Sequence, residues 1–199
     1  MSSFHINCGG RQETINGVTY DNDTDPASAS MFFRSQRYYW AFSSTGNFIN
    51  KGDGDYISTL NNTSILSMDN SQLYVNARIS PISLTYYGFC LKNGTYTVKL
   101  HFAEIMFTGD KTYGNLGRRI FDIYIQGKLV LRDFNIADEA GGVGKEVIKS
   151  FRAVVTNSTL EIRFYWAGKG TTEIPSKGTY GPLISAISGK LYAFMMLLL

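Results

Sequence analysis

Apolar residues fall on alternate positions over long stretches of this chain. Tyr96, Val98, Leu100 and Phe102 form one face of a stretch whose other face is Thr95, Thr97, Lys99 and His101. Phe121, Ile123 and Ile125 alternate in the same way with Asp122, Tyr124 and Gln126. Leu160, Ile162, Phe164 and Trp166 alternate with Glu161, Arg163 and Tyr165. A period of two marks a strand with one face buried. Asn93-Gly94, Gln126-Gly127 and Asn157-Ser158 read as the turns between such strands. No long segment has the 3.6 period of an amphipathic helix. The stretch NIADEAGG, 135–142, predicts one helical turn capped by Asn135 and stopped by glycine. The first 70 residues are richer in turn formers, as in DNDTDPASAS and SSTGNFINKGDGDY. The pattern predicts a single all-β sandwich with long loops at one end.

One seam in that pattern stands out. Alternation runs cleanly to Phe107 and resumes after Arg118, and the span between holds Thr108, Asp110, Lys111, Tyr113, Asn115 and three glycines. A plain hairpin needs only about two to five loop residues. The longer span offers a ring and polar groups of both kinds, and reads as the rim of a ligand site with Phe107 and Tyr113 as its rings.

Composition changes this picture little. The chain has 199 residues, 44% apolar and 18% charged, with a net charge of +3, the balance of one globular domain. Lys and Arg are scattered rather than clustered, which speaks against nucleic acid as a partner. The 13 Tyr and 13 Phe supply rings suited to strand edges and to stacking. Asn22, Asn61, Asn62, Asn93 and Asn157 each open an N-x-S/T sequon, where composition alone yields about two. Together with Cys8 and Cys90 they predict a secretory-pathway protein with a Cys8–Cys90 disulfide closing a long loop. The start, MSSFHINCGG, has no apolar signal-peptide core, and LYAFMMLLL, Leu191 to Leu199, falls short of the ~20 residues of a membrane span; the expectation is a fragment or a sequence lacking its first exon, with the apolar run either a terminal strand and tail or the start of a longer segment.

Catalytic signatures are sparse. His5 and His101 have no metal-ligand spacing, and no nucleophile elbow is present. His101 is expected to be a surface or hydrogen-bonded residue. DNDTDP places Asp21, Asp23 and Asp25 like a calcium loop, but Pro26 and Phe32 stand where glycine and a bidentate acid belong. Asp53 and Asp55, two apart in KGDGDY, read as turn residues or sugar-hydroxyl acceptors rather than the carboxylate pair of a glycosidase. Glu104 continues the inward series after Phe102, so it must be paired or at the rim; Arg118, Arg119 and the backbone are the expected partners.

HINCGG near the start, WAFSSTGNF at 40–48, LYVNARISPISLTYYGFCLKNGTYTVKLHFAEIMF at 73–107, GRRIFDIYIQGKLVLRDFNI at 117–136 and LEIRFYWAGKGTTEIP with GTYGPLISAIS in 160–188 together resemble the malectin domain. The form resembled is that of the extracellular part of plant leucine-rich-repeat receptor-like kinases. The resemblance covers residues 5–188 and leaves 189–199 outside as an apolar tail. It implies a jelly-roll, lectin-like β-sandwich, no enzymatic activity, no cofactor, and a place on the extracellular side of the plasma membrane. Animal malectin binds a glucose-capped N-glycan with aromatic rings and an acid on loops at one end. In this sequence its Tyr-Phe pair is Met106-Phe107, its Arg-Tyr step is Arg78-Ile79, a loop tyrosine falls near Trp40 or Phe42, and its acid falls at Tyr180 or Gly181. These departures remove the animal specificity and leave Trp40, Phe107, Tyr113 and Tyr180 as the expected sugar-stacking rings. An oligosaccharide is the first expected partner. A secreted peptide or a co-receptor is the alternative, one that needs a flat apolar sheet face instead of a ring-lined end.

Overall fold

The computed structural model describes residues 1–37, 39–48, 56–107, 117–170 and 180–192. Its strands are β1 (Ser3–Cys8), β2 (Glu13–Ile15), β3 (Val18–Asp23), β4 (Phe32–Arg34), β5 (Trp40–Thr45), β6 (Ile57–Thr59), β7 (Asn76–Ile79), β8 (Ser83–Gly88), β9 (Gly94–Ala103), β10 (Arg119–Ile125), β11 (Lys128–Phe134), β12 (Glu146–Val155), β13 (Leu160–Gly170), β14 (Leu183–Ile184) and β15 (Ala186–Leu191), with one helix, α1 (Ile136–Ala140). One six-stranded sheet has the order β12-β9-β15-β1-β3-β2, a second β11-β10-β13-β8-β5-β4, and a three-stranded sheet β14-β7-β6 lies beside them. Most pairings are antiparallel; β1 and β3 run parallel. This is the all-β sandwich that the alternation predicts.

The inward series make the core. Tyr96, Val98, Leu100 and Phe102 of β9 are fully buried, as are Phe121 and Ile123 of β10 and Leu160, Ile162 and Phe164 of β13. Burying each such side chain contributes about 1.5–3 kcal/mol. Phe102 joins the two sheets: its ring lies 4.9 Å from that of Phe134 and edge-on to Phe164. The turn at 135–142 forms as read, with Asn135 Oδ1 accepting from the Asp138 N–H and Gly141 in the left-handed conformation after α1. Residues 189–191 complete β15 and pair with β9, so the sheet extends past position 188.

The expected disulfide is absent. Cys8 and Cys90 are both free thiols, Cys8 buried and Cys90 exposed. The direction of β1 explains it. The Met1 amino group donates to the Cys90 carbonyl at 2.6 Å, so Cys90 sits beside the start of β1. Cys8 lies at the other end of that strand, about 20 Å away at roughly 3.3 Å per residue, whereas bridged cysteines need Cα atoms within about 7 Å.

Candidate functional site

β9 carries the chain to one end of the sandwich, where it delivers Glu104 into the interior. Glu104 Oε1 accepts the backbone N–H groups of Met106 and Phe107 at 3.0 and 3.3 Å. Arg119, at the first position of β10, donates from Nε to Glu104 Oε2 at 2.8 Å, and both side chains are at most 2% exposed. The predicted pairing of Glu104 with the backbone and Arg119 is therefore present. The second arm of the guanidinium reaches across the end of the molecule, Nη1 donating to the Gly181 carbonyl at 2.7 Å. Gly181 has φ +82, and a Cβ there would meet the Ser80 carbonyl oxygen at 2.1 Å. A carboxylate-bearing side chain at this position is excluded by space.

Aromatic rings gather around this pair. The Arg119 guanidinium lies 5.1 Å from the centre of the Phe107 ring, and that ring packs on bare backbone at Gly117, where a Cβ would sit 2.3 Å from a ring carbon. The glycine in the seam is thus needed for a close approach. Tyr180 lies 5.4 Å from Trp166 and 5.7 Å, edge-on, from Phe48, which in turn lies 5.5 Å from Tyr56. Tyr56 donates its hydroxyl to Asn47 Oδ1 at 3.1 Å. Phe48, Tyr56, Phe107 and Tyr180 are buried and Trp166 is half-buried. The segments 49–55, 108–116 and 171–179 start and finish at these residues and lie outside the described residues, as do Tyr113, Asp53 and Asp55.

Of the four rings named from sequence, Phe107 and Tyr180 therefore meet at one end, as floor rather than as exposed platform. Trp40 lies elsewhere. It opens β5 opposite Gly88, five residues from Thr45, is 2% exposed, and packs 5.8 Å from Phe33. Phe33 and Trp40 line a cleft of about 330 Å³ between the sheet edges, where Gln12, Asp21, Gln36 and Arg37 supply polar groups. The row Phe48, Tyr56 and Trp166 escapes sequence reasoning because its members are far apart in the chain; the alternation up to Trp166 was the one available signal.

A second buried ion pair joins the sheets. Asp23 accepts from Arg78 Nε at 2.8 Å and Nη2 at 2.7 Å, from the Tyr86 hydroxyl at 2.5 Å and from the Gly9 N–H at 3.2 Å. Arg78 lies over the Phe42 ring, 4.3 Å from its centre. These contacts give the aspartate of DNDTDP and the arginine of the Arg78-Ile79 step structural employment. Burial, reinforced by the neighbouring Asp23, pushes the Cys8 thiol well above its ordinary range, which makes it a poor nucleophile.

The sequon asparagines Asn22, Asn61, Asn62, Asn93 and Asn157 all lie on exposed positions. Asn62 Oδ1 accepts from the Ser64 N–H and hydroxyl, and Asn93 Oδ1 accepts from the Ser158 N–H at 3.1 Å.

Among the described residues no group of histidine, cysteine and acidic side chains is arranged to hold a metal ion, and no helix is long and apolar enough to cross a membrane.

Comparison with known proteins places this geometry. The chain is 53% identical over 193 residues to the probable LRR receptor-like serine/threonine-protein kinase At1g07650 of Arabidopsis thaliana, covering 94% of this chain and 19% of that protein. It is 54% identical over 195 residues to the probable kinase of the same type At1g29720, covering 93% and 18%. The chain thus spans about a fifth of the length of these relatives. Among solved structures, that of the plant receptor-like kinase FER superposes with a TM-score of 0.59 at 18% identity, over 98% of this chain and 43% of that one. A calcium-binding mutant of Bacteroides uniformis beta-glucuronidase 2 superposes with 0.60 at 16% identity, over 96% and 18%. At such identities the likeness is one of fold alone. The sequence profile described as the Malectin domain matches residues 2–187, and the chain belongs to that family.

Proposed function

We propose that this chain is a non-catalytic, extracellular ligand-recognition domain of a plant leucine-rich-repeat receptor-like kinase, and that its ligand is a carbohydrate. The observation that carries this reading is the convergence of rings at the Glu104–Arg119 end, from which three long segments depart. Trp166, half-buried at this end, offers a ring face on which a sugar's C–H surface can stack, and the buried Tyr180 packs behind it. Both oxygens of Glu104 are already taken, which supports a structural role for that acid and argues against a hydrolytic one. On this reading the segment after Phe107 forms the rim, with Tyr113 as its ring and Asp110, Lys111 and Asn115 as polar contacts.

A second location has its own support. The cleft at Phe33 and Trp40 combines two rings with amide, carboxylate and guanidinium groups, the chemistry a sugar needs, and would employ Trp40.

A glycan array probed with the purified domain tests the function. For any sugar that binds, Tyr113→Ala is expected to weaken binding by about 1–3 kcal/mol, the scale of one aromatic anchor, while Arg37→Ala leaves it unchanged. The reverse result moves the site to the cleft. Absence of any glycan ligand across a plant cell-wall and N-glycan array overturns the carbohydrate reading.

A further inference from the structure

The outer face of the first sheet carries a groove of about 510 Å³, away from both the ring-lined end and the cleft at Trp40. His5, Tyr20, Lys99, His101, Ile148 and Tyr192 define it. Ile148 and Tyr192 are 44% and 48% exposed, and Val154, six residues along β12 from Ile148 on the same face, is 60% exposed. Between Ile148 and Val154 on that face stand the exposed Ser150 and Arg152, so Val154 is a separate apolar spot and the apolar rim of the groove is Val18, Ile148, Leu191 and Tyr192.

The charge lining the groove has one sign, while Glu146, two residues along β12 from Ile148 on the same face, sets the opposite sign beside Tyr74. The charged residues lining the groove are Lys99 and Lys190, and no acid lines it. Lys99 stands opposite Ser188 and Lys190 opposite Thr97 on paired strands, so the two amines are diagonal neighbours. Neither makes an ion pair with another described residue, in contrast to Lys149 and Lys169, which do. Arg152 adds a third cation, its guanidinium 5.1 Å from the centre of the Tyr192 ring.

The floor holds an unpartnered ring nitrogen. His101 is 7% exposed, its Nδ1 lies 3.0 Å from the Tyr74 hydroxyl, and its Nε2 has no partner among the described residues. Burial and the adjacent Glu146 carboxylate hold the Tyr74 phenol protonated. Burial, with Lys99 and His5 nearby, holds the imidazole neutral. The Tyr74 hydroxyl engages Nδ1, and Nε2 is left without a partner, as a donor or an acceptor according to the tautomer. A buried polar atom left unpaired is unfavourable, and a polar group of a ligand would relieve it.

We propose that this groove docks an extended acidic peptide segment bearing apolar side chains. Lys99 and Lys190 receive its carboxylates, Ile148 and Tyr192 its apolar side chains, and His101 Nε2 a backbone polar group. The groove sets the aliphatic side chains Val18, Ile148 and Leu191 beside two ammonium groups without an ion-pair partner among the described residues, and a peptide that carries carboxylates and apolar side chains together meets both. The backbone groups of β9, β15 and β1 are paired on both sides, so recognition at Lys99, His101 and Lys190 rests on side chains and is weakened by salt. This inference does not rest on the carbohydrate reading.

The test is selection of a random-sequence phage-displayed peptide library on the purified 199-residue chain, followed by anisotropy titration of the enriched peptides after synthesis. Enriched peptides are expected to combine Asp or Glu with aliphatic or aromatic residues. Their Kd is expected to rise at least about tenfold for K99E/K190E, to rise for Ile148→Asp and His101→Gln, to rise with salt, and to be indifferent to Trp166→Ala at the ring-lined end. K99S/K190S serves if charge reversal disturbs the fold. Enrichment of neutral or basic peptides, equal binding by the lysine variants, or no enrichment overturns the proposal. So does groove-dependent binding of a heparin oligosaccharide in place of any peptide, which would reassign the face to an anionic sugar. Loss of binding only in Trp166→Ala would place the peptide at the other end and overturn the groove instead.

Discussion

Arg119 donates to Glu104 across 2.8 Å in a place where neither side chain reaches water. The pair also fixes the turn after β9, through the two N–H groups on Glu104 Oε1, and the approach of Gly181. Removing one partner leaves the other charge buried and alone. Glu104→Ala is expected to destabilise the domain by about 3–5 kcal/mol. A double replacement, Glu104→Leu with Arg119→Met, should cost clearly less than either single change, because no lone charge remains. Urea unfolding of the four proteins measures this. A Glu104→Ala variant within about 1 kcal/mol of wild type would show that the pair is not buried as described.

The two cysteines should behave as unlike thiols. Cys90 is exposed, and Cys8 is fully buried with its thiol pushed above the ordinary range by burial. Native protein is expected to take up one iodoacetamide, at Cys90, and denatured protein two. Intact-mass spectrometry followed by peptide mapping decides it. A native protein that takes up none, with a Cys8–Cys90 cross-linked peptide, would contradict the geometry.

Stability should fall on mild acidification, and His101 should be a cause. Burial lowers its pKa from 6.5 to about 4, with Lys99 and His5 adding to the effect. Between those values the unfolded chain binds a proton that the folded chain refuses. The stabilisation is complete above about pH 6.5 and is lost as pH falls toward 4, by about 3 kcal/mol at 1.36 kcal/mol per pH unit. His101→Gln removes the titration, so its stability should depend less steeply on pH across this window. His5, also lowered chiefly by burial, acts in the same direction in both proteins and cancels in the difference. Parallel stability–pH curves for the two proteins would refute the assignment.

Asn93 and Asn157 should accept glycans when the chain passes through a secretory pathway. Both are exposed at bends, before β9 and β13 respectively, where the backbone is open to a glycosyltransferase. Gly94 and Val155 are paired at this end of the sheet, and the ten residues of β9 put it about 30 Å from Glu104. Glycans here would leave the ring-lined end clear. Of the adjacent Asn61 and Asn62, at most one should be occupied. Peptide mapping after enzymatic deglycosylation in heavy water reads all five sequons, and unmodified Asn93 and Asn157 in secreted material would contradict the prediction.

Much of the fold was legible because alternation reports burial directly. Every residue of the series Tyr96, Val98, Leu100 and Phe102 is fully buried, and Asn135 caps the one helical turn. Glu104 announced its need for a partner by standing in that same register. What alternation lacks is the direction and reach of each strand. It offered Cys8 and Cys90 as a pair but could not tell that Cys8 closes β1 while Cys90 lies beside the start of that strand. Asp23 and Arg78 are separated by 55 residues, and neither carries a local mark of the other. The rings were the hardest to read: Trp40, Phe107 and Tyr180 sit beside turn-rich segments, where exposure is the natural expectation, yet each is packed against a residue of another strand, Tyr86, Arg119 and Trp166 respectively.

The hydrogen bonding of β1 to β15 has a mechanical consequence. Ser3 faces Lys190, and the Leu191 N–H donates to the Ser2 carbonyl, so polypeptide entering before β1 and leaving after β15 does so at the same edge. Tension applied across those two points would not shear the pair lengthwise, with all its bonds sharing the load. It would peel β1 from β15 rung by rung, starting at Ser3 and Lys190, in the middle of the sheet rather than at its margin. A domain joined in this way is a clasp that opens at low force.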